Sequence, residues 1–422
     1  MNILIRSAKI IDKTSSHHLS VRDIFIEKGI IREIGKKIEP KGKCTEIRFD
    51  DLHVSKGWID LNSFFADPGL EHKETIESGC SAAAAGGFTH VCILPNTEPV
   101  ADNKAQIEYV LAKAADNIVK VLPIGAVTKG CRGNELAELY DMHLAGAVAF
   151  SDGALPSLSA GLLERALEYV KAFNGVVFVH PEDSSISGNG VVNEGVVGTM
   201  LGLPQIPSFA EELAIARDLM ILEYTQSRLH FLNVSLKNSV DHIVKAKKKG
   251  LNVTVSINAH HLLLSEDSLE NYNTLYKVNP PLRSRTEVKN LIKAVSLGFI
   301  DSITAQHYPH EEDSKNTEFD KAAFGIIGLE TAFAAANTAL HTHMDTEKII
   351  ELFSDNPRKI LGLQNSSIET GYPADLTLFS PNLSWTFTEK HIRSKSKNTP
   401  FIGKTFVGKS LGIVRNGKLF LS

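Results

Sequence analysis

The chain has 422 residues, 43% hydrophobic and 22% charged, enough for one large domain of roughly 300 residues and a smaller one. A net charge of −4 leaves no electrostatic footprint for nucleic acid, and no stretch approaches the roughly 18 uninterrupted apolar residues of a membrane span, so neither partner is expected. Four widely spaced cysteines, Cys44, Cys80, Cys92 and Cys131, fit a reducing cytoplasm, with Cys92 as a small buried hydrophobe.

Residues 1 to 55 open without the basic and apolar regions of a signal peptide. They carry short β-like runs, Ile3-Leu-Ile, Asp23-Ile-Phe-Ile and Ile30-Ile-Arg-Glu-Ile, separated by turn residues such as Lys28-Gly29. Next, apolar runs alternate with helical patterns: the segment around Trp58-Ile-Asp-Leu, then Thr89 to Leu94, Val119 to Ile124, Ala147 to Phe150, and Val176 to Val179. Leu229 to Val234, Val253 to Ile257 and Ile300 to Ala305 complete eight candidate strands, which favours a (β/α)₈ barrel over a doubly wound sheet. At the C-terminal end, Asp375-Leu-Thr-Leu-Phe and Gly412-Ile-Val-Arg read as strands, the latter joined to Lys418-Leu-Phe-Leu by an Asn416-Gly417 hairpin signal. The expected architecture is therefore α/β: a barrel over residues 56–365, and a small β-sandwich formed by both chain ends, 1–55 and 366–422.

The predicted strand ends carry ten motifs in order. The first five are Gly57-Trp-Ile-Asp-Leu, Asp67-Pro-Gly69, Leu94-Pro-Asn-Thr97, Ala149-Phe-Ser-Asp-Gly153 and His180-Pro-Glu-Asp183. Asn193-Glu-Gly195, His260-His-Leu-Leu-Leu264, Lys277-Val-Asn-Pro-Pro-Leu-Arg283, Gly325-Ile-Ile-Gly-Leu-Glu-Thr331 and Asn356-Pro-Arg-Lys-Ile-Leu-Gly362 follow. In this order the chain resembles the dihydroorotase family of the amidohydrolase superfamily, most like the type found in multifunctional or aspartate transcarbamoylase-associated complexes. The resemblance implies a barrel with a β-sandwich from both ends, and a cyclic-amide hydrolase of pyrimidine biosynthesis. In such chemistry a Lewis acid polarises the amide carbonyl and a metal-bound hydroxide attacks it.

The family's site implies a His-x-His pair, a bridging carboxylate, one histidine from each of two later strands, and an aspartate that accepts the proton. Here the first motif reads Asn62-Ser-Phe64-Phe-Ala66-Asp-Pro-Gly69, so Asn62 and Phe64 stand at ligand positions and Ala66 at that of the substrate-binding arginine. Asp152, in Ser151-Asp-Gly-Ala, and His180 match ligand positions, whereas Asn233 and Gln306 occupy those of the next histidine and the proton acceptor. A glutamine amide cannot shuttle that proton. Two surviving ligands fall short of the three protein ligands of a catalytic zinc site, so no cofactor is expected. The open alternative is one zinc in a shifted site recruiting His230 or His307. Period-two alternation argues against it by placing His230 outside the lumen and His307 away from Gln306.

Asn96, Asn279 and His310 match substrate-holding positions, although Asn96 and Asn279 beside prolines serve equally well as turn residues. The resemblance thus implies a catalytically silent, metal-free homologue acting as a structural or regulatory partner, with aspartate transcarbamoylase the candidate and a homo-oligomer expected. The alternative is an active hydrolase interconverting N-carbamoyl-aspartate and dihydroorotate with one metal. In either case the side chains of Asn62, Asp152, His180, Asn233 and Gln306 should converge at the C-terminal mouth of the barrel.

Overall fold

The computed structural model describes residues 2–40, 42–153, 158–364 and 366–422. Ala154, from the Asp152 segment, and Met1 and Asn365, at the expected domain limits, lie outside them.

Two glycine-containing turns organise the chain ends. Lys28-Gly29 (φ 49° and 79°) and Asn416-Gly417 (φ 52° and 70°) both place two successive residues at positive φ, the geometry that matches strand twist in a two-residue hairpin. The first turn joins β2 (Val21–Glu27) to β3 (Ile30–Gly35), after β1 (Asn2–Ile11). β4 (Thr45–Ile47) and β5 (His53–Lys56) both pair with β1 in parallel, one on each side of a register shift between Ile5 and Ala8.

The chain then enters the barrel through β6 (Trp58–Ser63), β7 (Phe88–Ile93), β8 (Lys120–Gly125), β9 (Ala149–Phe150) and β10 (Val177–Val179). A small side ribbon, β11 (Val192–Asn193) with β12 (Gln205–Ile206), precedes the 17-residue helix Phe209–Thr225. β13 (Leu229–Phe231), β14 (Val253–Asn258) and β15 (Ser302–Thr304) complete eight strands paired in parallel in chain order. A parallel bridge from Ser63 to His307 joins the last strand to the first. Finally β16 (Asp375–Thr386) pairs antiparallel with β5, and β17 (Thr405–Arg415) and β18 (Lys418–Leu421) follow, so both chain ends lie in one separate sheet.

Period-two alternation sorts the barrel side chains into two apolar clusters. Ile59, Leu61, Cys92, Leu122, Ile124, Ala149 and Phe178 fill the lumen, while their neighbours Trp58, Val91, Val121, Phe150 and Val177 face the surrounding helices. The end sheet has its own core, including Ile3, Ile24, Val54, Leu376 and Val414. Trp58 packs within 6.2 Å of the rings of Phe88, Phe333, Phe353 and Phe379, an aromatic cluster where the two parts meet. No helix among the described residues is long and apolar enough to cross a membrane.

Candidate functional site

The strand ends on the C-terminal side of the barrel hold most of the residues singled out from sequence, and hydrogen bonds divide them into two groups. The larger group begins at Asn62 on β6, whose Nδ2 donates to Asn233 Oδ1 at 2.6 Å. Asn233 Nδ2 in turn lies 3.4 Å from His180 Nδ1, so that ring nitrogen accepts and Nε2 carries the proton toward Glu182 Oε2 at 3.3 Å. Asn279 Nδ2 donates to the same carboxylate oxygen at 2.8 Å. Gln306 Nε2 then donates to the Asn279 carbonyl at 2.6 Å, while its Oε1 accepts from Asn258 Nδ2 at 2.8 Å. One chain of polar contacts therefore ties together the ends of β6, β10, β13, β14 and β15.

Burial pushes the Glu182 carboxyl up, but the hydrogen bond and charge attraction of His180, with the hydrogen bonds from Ser187 and Asn279, prevail and hold it at about 2. Three site residues occupy left-handed backbone conformations although none is glycine: Ala66 at φ 56°, Asn233 at 59° and Gln306 at 44°. Asparagine tolerates this region; alanine and glutamine carry strain on the order of 1 kcal/mol each, a feature that clusters at functional sites.

Asp152 belongs to the second group. Its carboxylate accepts from the Thr128 backbone N–H at 2.9 Å and from Thr128 Oγ1, and its carbonyl accepts from Asn96 Nδ2 at 2.9 Å. These contacts join the ends of β7, β8 and β9. Burial raises the Asp152 carboxyl above its ordinary value, partly offset by the Thr128 bonds. Gly153 (φ 73°) is required here, since a Cβ would sit 1.8 Å from Asn96 Oδ1. The structure thus joins four of the five residues expected to converge and ties Asp152 to a different partner.

The remaining expectations divide. His230 is not outside the lumen: it pairs in register with Phe178, stacks on that ring at 4.6 Å, and hydrogen-bonds Thr254 Oγ1 and Ser256 Oγ at 2.8 and 3.2 Å. The alternation argument failed because β13 ends at Phe231, and Asn233, with φ 59°, lies beyond the regular strand. His307 does turn away from Gln306, its Nδ1 accepting from Gly328 and Leu329 N–H and its Nε2 facing Glu74 at 3.2 Å.

Phe64 is buried in the lumen cluster beside Ala66 and stacks on Tyr308 with ring centroids 5.1 Å apart. The donor set does not fit a zinc ion: among the described residues no three His, Cys, Asp or Glu side chains are grouped to hold a metal. The cavity bordered by His180, Glu182, Asn279 and Arg283 measures about 10 Å³, room for at most one water.

At the three positions that the sequence resemblance matched to substrate-holding residues, one buried polar atom each lacks a partner: Asn96 Oδ1, Asn279 Oδ1 and His310 Nδ1. Because His310 Nε2 donates to the Phe324 carbonyl at 2.8 Å, Nδ1 is a bare acceptor, as are the two amide oxygens.

Sequence reading missed Thr128, Asn258 and the role of Asp60. Asp60 receives the Ala305 N–H at 2.7 Å and the Asn62 N–H at 3.0 Å, fixing the first strand against the last. It also left Glu182 ambiguous. The motif Asn193-Glu-Gly195 meets Arg283, whose guanidinium donates to Asn193 Oδ1 at 2.7 Å and faces buried Glu211 at 3.3 Å.

Comparison with known proteins gives the family and supports the fold. A family model described as dihydro-orotase-like matches residues 53–239. The dihydroorotase of Acetivibrio thermocellus is 42% identical over 99% of this chain and 98% of its own length; that of Caldanaerobacter subterraneus is 41% identical over 97% and 94%. The chain belongs to the dihydroorotase-like family. Among solved structures, the L-hydantoinase of Arthrobacter aurescens superposes with a TM-score of 0.86 at 22% identity, covering 100% of this chain and 96% of its own. The dihydropyrimidinase of Brevibacillus agri gives 0.84 at 19%, covering 100% and 95%. At these identities the likeness is one of fold, that of an eight-stranded parallel barrel with an added sheet.

Proposed function

We propose that this dihydroorotase homologue is metal-free and catalytically silent, and that it serves as a structural or regulatory partner in pyrimidine biosynthesis, with aspartate transcarbamoylase as the enzyme it supports. The observation that carries the reading is the 2.6 Å hydrogen bond from Asn62 to Asn233. Two of the positions assigned to metal ligands are neutral amides that satisfy each other, and the second also occupies the imidazole of His180. Phe64 fills the lumen nearby, and Gln306 uses both ends of its amide in fixed hydrogen bonds, leaving no group at its own position to accept a proton. Ala66 offers no bidentate contact for a substrate carboxylate, so dihydroorotate is held weakly.

Elemental analysis of purified protein, beside a sensitive assay of dihydroorotate hydrolysis and cyclisation with added zinc, tests this. The expected result is no stoichiometric metal and no turnover. Restoring one position should not help, because metal, hydroxide and proton acceptor act as a unit; the minimal set is Asn62→His, Phe64→His, Asn233→His and Gln306→Asp together. One metal per chain with activity abolished by His180→Ala would replace this reading by that of an active hydrolase with a single zinc. Partnership is read separately, by co-sedimentation with purified aspartate transcarbamoylase.

A further inference from the structure

A cavity of about 250 Å³ lies at the opposite end of the barrel from the mouth, where β10, β13, β14 and β15 begin. Val176, Arg228, Asn252 and Asp301, each directly before one of these strands, border it on one side, and the helix Asp355–Ile360 on the other. In barrels of this kind chemistry belongs to the C-terminal strand ends, and residues at the N-terminal ends ordinarily serve stability. The charge of this lining departs from that pattern. Arg228 is half-buried, and among the described residues no carboxylate pairs with it. Burial alone moves its guanidinium, downward, with no acid near enough to oppose the shift. Other cations at this end do have acids. Lys247 meets Asp301 at 2.5 Å, Lys249 meets Glu223 at 3.2 Å, and Arg358 reaches Asp375 at 3.1 Å. An unpaired lysine on a surface is ordinary; a half-buried guanidinium without a counter-charge is not.

The guanidinium is also held in place. Arg228 Nη1 donates to the Asn174 carbonyl at 2.8 Å and Nη2 to the Ile360 carbonyl at 2.7 Å. These bonds pin it between the turn after the helix Ala160–Lys171 and the helix Asp355–Ile360, and they use two of its five N–H donors. A fixed guanidinium with donors to spare takes an oxyanion at little cost in ordering. Lys359 borders the same cavity, its ammonium in no ion pair among the described residues. The side-chain amides of Asn252 and Asn356 likewise make no hydrogen bond among the described residues, and they add neutral donors. The single acid of the lining, Asp301, is offset by Lys247 and accepts the Val255 N–H at 2.7 Å. Val176, Leu229 and Ile360 are buried apolar walls, which lower the local dielectric and strengthen attraction to the two cations. At about 30 Å³ per water-sized group, the cavity holds roughly eight heavy atoms, enough for phosphate or a short carboxylic acid and too few for a nucleotide.

We propose that this floor cavity is an oxyanion site, separate from the barrel mouth, in which Arg228 anchors the phosphate or carboxylate group of a small molecule and Lys359 supplies a second positive charge. The site is independent of whether the mouth turns over substrate. Titration calorimetry of the full chain, in a buffer free of phosphate and carboxylate, measures binding of inorganic phosphate and, separately, of acetate, each against chloride at equal ionic strength. At least one oxyanion should bind at one site per chain with a Kd of about 1 mM, and chloride should not; the tighter of the two identifies the anchored group. Lys359→Gln, a surface change, should weaken binding about two- to fivefold. Arg228→Gln should weaken it more than about tenfold, and Lys249→Gln, whose lysine is already paired at the same end, should leave it unchanged. Amide hydrogen exchange should slow at residues 226–229 and 355–361 when the anion binds. No saturable binding of either oxyanion, binding matched by chloride, or binding of full strength in both Lys359→Gln and Arg228→Gln overturns the proposal. If Arg228→Gln fails to fold for want of its two carbonyl contacts, Lys359→Gln and the exchange map carry the test, and an unchanged Kd with no local protection overturns it.

Discussion

The barrel mouth contains two polar networks built on different terms. Across β6, β10, β13, β14 and β15, Asn62, Asn233, His180, Asn279 and Gln306 form a chain of amides and one imidazole in which Glu182 is the one carboxylate, and it is strongly hydrogen-bonded. Across β7, β8 and β9, Asp152 is clasped by Thr128 and its pKa is raised by burial, which those bonds only partly offset, beside an unpaired Asn96 oxygen. The first arrangement is nearly closed on itself; the second keeps a charge that burial disfavours. A site that assembled its residues around a common ion would draw both carboxylate and imidazole inward. Here each finds a partner in its own half, which is the physical content of the proposed loss of metal.

The largest effect should come from removing what fills the space between. Phe64→Ala takes a buried ring from the lumen cluster and from its stack on Tyr308. Such truncations cost about 3–5 kcal/mol, and equilibrium denaturation should show that loss. A cost under about 1 kcal/mol would mean the mouth is loosely packed and able to admit a ligand.

Next is the one charge of the larger network. Glu182 titrates at about 2 in the folded chain against an ordinary value of 4.5. A depressed carboxylate stabilises above its unfolded pKa, and that contribution fades as pH falls from about 4.5 to about 2. It amounts to about 3 kcal/mol on the scale of 1.36 kcal/mol per pKa unit. Glu182→Gln should therefore unfold more easily than the wild type at neutral pH, with the gap closing near pH 2. A gap that does not change with pH would show that the carboxylate's charge plays no part.

Much of this was legible beforehand. Every one of the eight barrel strands lies where an apolar run between helical patterns placed it, and Lys28-Gly29 and Asn416-Gly417 announced their hairpins, because strand and turn preferences are local. Family motifs located Asn62, His180, Asn233 and Gln306 at strand ends. They could not show that Asp152 turns to Thr128, or that Asn258 would hold Gln306, since those bonds join side chains 24 and 48 residues apart through rotamers that only packing decides. His230 was misplaced for a related reason: period two holds only while the strand lasts, and Asn233 lies past its end.

A smaller effect tests whether the amides act as a pair. Asn62→Ala leaves Asn233 Oδ1 without its donor, and Asn233→Ala leaves Asn62 Nδ2 without its acceptor, each costing about 1–3 kcal/mol for a buried group left unsatisfied. The double variant removes both groups, so its loss should fall short of the sum by about 1 kcal/mol in a double-mutant cycle. Strict additivity would mean that the two amides satisfy other groups and that the larger network is not continuous.

The smallest effect is the most discriminating, because its sign differs from that of Glu182. Asp152 is raised, chiefly by burial, so its ionised form is disfavoured in the folded chain; the penalty is complete above the folded pKa and is relieved as pH falls toward the unfolded value. Asp152→Asn removes that penalty. It retains an oxygen to accept the Thr128 N–H, and its new amide N–H can donate to Thr128 Oγ1, which both donates and accepts. The variant should lie within about 1 kcal/mol of wild type at neutral pH, on the stabilised side, with the difference shrinking on acidification. A carboxylate held for a cation would behave otherwise. If Asp152→Asn costs about 2 kcal/mol or more only when zinc is supplied, Asp152 serves a metal and the two halves of the mouth act as one site.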